Sequence, residues 1–153
     1  MLTATIYTTD TPNANGIVYS AKVLQDAIVK FNRAGGLATL EDTPPQYAIV
    51  DMDKIAAQAT LSFDGKRVTA SLEMLDTPHG KIVDQLLDHN LLGVVPIDRS
   101  EMGFDNVAHN LHISKLVFTN KNYIRKPSDL HIIQNWVTGN RINDMFKLVD
   151  SDK

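Results

Sequence analysis

The stretch IAAQATLSFDGKRVTASLEML, residues 55–75, constrains this chain most. Ile55, Ala57, Ala59, Leu61 and Phe63 alternate with polar or small residues, and Val68, Ala70, Leu72 and Met74 alternate on the way back. A period of two places side chains on one face of a strand. Between the runs stands Asp64-Gly65, a pair suited to a tight turn whose two central positions need positive φ. The reading is a central antiparallel hairpin with one apolar face. Such a hairpin is marginal alone and needs further strands or helices on that face.

The flanks supply them. TATIYTT reads as a first strand and DTPNANG as a loop. From Ser20, a suitable N-cap, Val23, Leu24, Ala27, Ile28 and Phe31 form a helical stripe that Gly35 and Gly36 stop. LATLEDTPPQYAIVDMD is loop-like around Pro44 and Pro45, with a short strand at 47–50. Thr77 caps and Pro78 starts a second helix with Ile82, Val83, Leu86 and Leu87 on its stripe. LLGVVPI is a short buried strand stopped by Pro96. After the polar stretch DRSEMGFDNVAHN comes the strand LHISKLVFT, then the loop NKNYIRKP. Ser128 caps a helix with Leu130, Ile133, Trp136 and Val137 on one side, and Asn140 or Asn143 starts a last helix through Met145, Phe146 and Val149. The order β-α-β-β-α-β-β-α-α predicts an α+β fold: a small, mainly antiparallel sheet or barrel flanked by helices.

At 153 residues the chain is most simply one domain, long enough to bury a core without staples. Its net charge of −3 comes from interspersed acids and bases, with no basic stripe for a nucleic-acid backbone. It has no cysteine, so disulfides, thiolate metal sites and a cysteine nucleophile are excluded. No apolar run approaches the roughly 20 residues of a membrane helix, and MLTATIYTTD lacks the pattern of a signal peptide.

Candidate chemistry is sparse. His109 and His112 form an H-x-x-H pair, but in a loop running into a strand they point to opposite sides, which disfavours a metal site. His79 sits in the first turn of a helix and reads more simply as a solvated residue, and His89 and His131 carry no motif. Ser100 and Asp98 lie near these histidines in sequence, but a hydrolase needs them in contact, and the G-x-S-x-G elbow is absent. Glu41 and Asp42 are adjacent loop carboxylates, and no phosphate-binding glycine loop occurs. No cofactor is expected.

Two longer segments carry a resemblance. In TPNANGIVYSAKVLQDAIVKFN, Asn15, Gly16, Tyr19, Leu24 and Ala27 fill an N-G-R-x-Y-P-x-x-x-L-x-x-A pattern. In LEMLDTPHGKIVDQLLDHNLLGVV, Leu75, Asp76, Thr77, Pro78, Gly80, Leu86, Leu92, Gly93 and Val94 follow L-D-T-P-x-G and L-G-V in register. Together they resemble the prohead proteases of tailed phages over roughly residues 8–120. The resemblance implies an assemblin-like core at 8–120, a small β-barrel ringed by helices, and leaves 126–153 as a helical region for interactions. The family's members are serine proteases that cut scaffold and capsid proteins inside the immature head.

The departures fall on the catalytic places. Where the family carries its serine, this chain has Val95 and Pro96. Where the family carries its histidine at the start of the hairpin, this chain has Ala56 or Ala57, and a second family histidine aligns near Asp42 or Thr43. Losing either nucleophile or base removes many orders of magnitude of rate. The resemblance thus implies an inactive homologue reused in the virion, assembled in the host cytoplasm. Its role would be capsid decoration, stabilisation or assembly. Its partners would be the major capsid protein or other virion proteins and copies of itself, with neither nucleic acid nor membrane involved. Ile132, Trp136, Met145 and Phe146 are the expected interface residues. The alternatives are an active endopeptidase with displaced residues, Ser100 and His109 foremost, or a neck, tail or baseplate component.

Overall fold

A computed structural model of the chain describes residues 2–13, 16–42, 50–89, 91–120 and 149–150. The elements are β1 (Leu2–Thr8), α1 (Ala21–Arg33), β2 (Leu37–Leu40), β3 (Ile55–Phe63), β4 (Arg67–Met74), α2 (Pro78–Leu86), β5 (Leu92–Arg99), β6 (His112–Asn120) and β7 (Val149–Asp150). One sheet holds all the strands in the order β5-β6-β2-β3-β4-β1-β7. Every neighbouring pair is antiparallel except β2 and β6, which run parallel. The six strands from β5 round to β1 curl into a nearly closed sheet, and β7 adds to β1 at Leu2 and Thr3.

The central hairpin forms as the alternation requires. Ala59 pairs with Leu72 and Leu61 with Ala70, so the apolar sets share the inner face, while Gln58, Thr60 and Ser62 face water. The turn differs from the expectation. Only Gly65 takes a positive φ (95°), and the central pair is Gly65-Lys66. Asp64 instead uses its carboxylate to accept the N–H groups of Lys66 (2.8 Å) and Arg67 (2.7 Å). Those bonds hold its carboxyl below the ordinary range.

Helix α1 is capped by Ser20, whose hydroxyl accepts from Val23 N–H, and it buries Leu24, Ala27, Ile28 and Phe31 against β3 and β6. Each fully buried aliphatic side chain of this core contributes about 1.5–3 kcal/mol. In α2 only Val83 of the expected stripe is fully buried; Leu86 and Leu87 are half-buried and Ile82 is exposed.

Three further expectations change. Leu37–Leu40 is a strand, not part of a loop, because it fills the slot between β3 and β6. Pro96 does not stop β5, which runs on to Arg99. Among the described residues β5 has a backbone ladder only with β6, so the missing N–H of Pro96 breaks no second ladder there. Val149 lies in strand β7, not in a last helix, and to that extent the helical region assigned to 126–153 is corrected. Ile132, Trp136, Met145, Phe146 and the helix capped by Ser128 lie outside the described residues. So does the strand at 47–50, apart from Val50, which is in no strand.

Candidate functional site

The L-D-T-P-x-G segment is a structural clamp. Thr77 Oγ1 accepts Gly80 N–H (3.0 Å), which caps α2, and donates to the Ile55 carbonyl (2.6 Å). Leu75 N–H donates to the Ala56 carbonyl (2.9 Å). A Cβ on Gly80 would lie 2.2 Å from the Leu75 oxygen and 2.8 Å from that of Ala56. Pro78 supplies the fixed φ of the first helical residue. The segment therefore holds the first turn of α2 against the start of β3, where the resemblance places a histidine.

The register brings the four degenerate positions into relation. Pro96 on β5 pairs with Leu116 on β6, Leu116 with Ala38 on β2, and Ala38 with Ala57 on β3. Cross-strand partners share a face. Pro96 and Ala57 thus occupy one row, three strand spacings or about 14 Å apart along the sheet. All four residues of the row are buried hydrocarbon. Val95 and Ala56, on the opposite face, are buried as well.

The remaining candidates do not converge. Ser100 follows β5 and His109 precedes β6, linked through the His109 N–H bond to the Glu101 carbonyl (2.8 Å). No hydrogen bond joins their side chains. His109, His112 and His89 are exposed. Among the described residues no three metal-ligating side chains cluster.

Two buried polar pairs escaped the sequence. Tyr7 donates its hydroxyl to the Asp98 carboxylate. Burial foremost, then the charge of Asp98 and the nearby Tyr19, raise the Tyr7 phenol well above its ordinary value of 10.0. Lys115, 1% exposed, donates to Glu41 Oε2 (2.9 Å), which also accepts from Thr39 Oγ1 (2.7 Å). Lys54 lies 3.8 Å from Glu41 Oε1. These partners are 91 and 74 positions apart, and no local pattern announces either pair. Glu41 and Lys54 also line a cleft of about 520 Å³ with His79, Ile82, Leu86 and Leu91. Glu41 and Asp42 do not form a carboxylate pair, since Glu41 is turned to Lys115.

A nearly closed mixed sheet with α1 and α2 against it is similar to the fold of a phage capsid-assembly protease. One solved structure with this likeness is that of the bacteriophage T4 capsid assembly protease, gp21. It has a TM-score of 0.65 and 14% identity over 76% of this chain and 79% of that one. No family model and no curated protein matches the chain. At that identity the likeness is one of fold.

Proposed function

We propose that this chain is a phage capsid-associated protein that uses a capsid-assembly-protease fold without protease activity. It decorates, stabilises or helps assemble the shell, binding the major capsid protein or other virion proteins. The observation that carries the reading is the buried hydrocarbon at Ala56, Ala57, Val95 and Pro96, where the resemblance places the base and the nucleophile. It has the protease-like frame around it but no hydroxyl, imidazole or carboxylate to act as nucleophile or base. The clamp at Thr77 and Gly80 supports it too, because it gives the most specific shared motif a purely structural task.

Mass spectrometry of purified particles tests the location. A copy number comparable to that of the major capsid protein is expected. A handful of copies would favour a neck or tail component, and absence from the particle would remove the structural role. A fluorophosphonate probe tests the activity. The backbone link between Glu101 and His109 favours Ser100 as the one rescue worth testing. No labelling is expected; labelling at Ser100 that disappears in His109→Ala would establish a displaced protease.

A further inference from the structure

The loop between β5 and β6 presents an unusual tip. Phe104 is 111% exposed, more open than in an extended chain, and Met102 beside it is 46% exposed. The loop is nonetheless tied down. Met102 bridges to Ala108 and Val107 to Val18. Glu101 N–H donates to Asn110 Oδ1 (2.9 Å), and Val107 N–H to Asp105 Oδ1 (3.2 Å). Asn106 takes the positive φ (60°) that the bend needs. A rigid loop that holds an aromatic ring in water has little entropy left to lose on docking. The tip also carries two acids, Glu101 and Asp105.

The same molecule offers the complement. Where α1 meets β6, Ala27, Phe31, Gly36, Leu37, Leu111 and Ile113 line a hollow of about 200 Å³. An apolar cavity of about 150 Å³ accepts a benzene molecule, so this one has room for a phenyl ring. Exposed Lys30 and His112 stand at its rim, and Arg33 is in the same last turn of α1. The molecule thus carries both an acidic aromatic knob and a basic-rimmed apolar hollow. The segment that carries the knob runs directly into the hole's wall at Leu111, so a two-fold axis beside it lets two copies exchange knobs reciprocally.

We propose that the chain forms a two-fold dimer in which Phe104 of each copy seats in the α1–β6 hollow of the other, with Met102 against its rim and Glu101 and Asp105 against Lys30. The proposal is independent of where in a particle the protein resides. Sedimentation of the full chain over a concentration series tests it, with a monomer–dimer equilibrium expected. Phe104→Ser should weaken association at least about tenfold, because a central aromatic anchor is lost. Its circular dichroism and melting temperature should stay unchanged, since the side chain is fully exposed and packs on none of the described residues. Lys30→Glu should also weaken the dimer, and adding Glu101→Lys to it should restore part of the loss. A chain that stays monomeric at its highest soluble concentration overturns the proposal. So does a dimer indifferent to Phe104→Ser, or an assembly that grows without limit. Loss of another protein's binding in Phe104→Ser, with no self-association of the wild type, would assign the knob to that partner instead.

Discussion

Tyr7 on β1 donates its phenolic hydrogen to Asp98 on β5, across the seam where no backbone ladder joins the two strands. The bond ties the first strand to the fifth across the opening of the curled sheet. Its consequence is a pH dependence of defined sign. Burial raises the phenol's value in the folded state. Below about pH 10 folded and unfolded chains both hold the proton, and the full contribution is present. Above that, the unfolded chain releases a proton the folded chain keeps, so stability falls by about 1.4 kcal/mol per pH unit up to the raised value. Tyr7→Phe should lose about 1–3 kcal/mol at neutral pH. The gap to wild type should narrow above about pH 10, read by urea unfolding at several pH values. A gap that stays constant with pH would mean that the phenol is not held neutral.

Asn32 is expected to be nearly as sensitive. Its side-chain amide donates to the Leu61 carbonyl and accepts from the Leu61 N–H, both at 2.8 Å. β2 has already ended there: its last ladder partner in that direction is Gln58, and Gly36 accepts from Ala59 N–H. The amide therefore acts as one residue of missing strand. Asn32 is itself exposed, so water reaches the site, and Asn32→Ala should lose about 1–2 kcal/mol. Faster hydrogen exchange at the Leu61 amide should accompany it. Unchanged exchange would show that water replaces the amide without penalty.

The clamp at the start of α2 orders two substitutions. Gly80→Ala drives a methyl against two backbone oxygens that cannot swing away, and should lose about 3 kcal/mol or more. Thr77→Val keeps the shape but removes the cap and the bond to Ile55, for about 1–2 kcal/mol. Thermal melts that reverse this order would mean that α2 can shift away from β3.

Local chemistry made much of this legible. The alternation in 55–75 gave the hairpin, and Ser20 and Thr77 announced both helix starts. What failed was decided by neighbours far off in sequence. The LATL segment has no period of its own and is a strand because β3 and β6 leave a slot for it. Pro96 obeys a local rule against strands, but the rule does not bind on a strand with a single ladder partner among the described residues. Val149 sits on β1, at the far end of the chain. At the candidate site, the hydrocarbon at 56, 57, 95 and 96 could be read directly, whereas the common row of Ala57 and Pro96 needed the register of four strands. The two buried polar pairs were invisible for the same reason.

Lys115 and Glu41 give the most discriminating test of the interior. Taking both charges out of water costs several kcal/mol per ion, and their attraction offsets this only while both are present. Lys115 is almost wholly buried, so Glu41→Leu leaves an ammonium in the interior without its carboxylate. Lys115→Met leaves a carboxylate with Thr39 and the more distant Lys54. Each single change should cost about 3–5 kcal/mol. The double variant should recover most of that loss, because hydrocarbon then packs on hydrocarbon. Lys54 is half-exposed, and its share should fade with added salt, while the Lys115–Glu41 coupling should not. A double-mutant cycle in urea, at low and high salt, measures both. Additive single losses would refute the pairing, and a coupling that vanishes in salt would refute its burial.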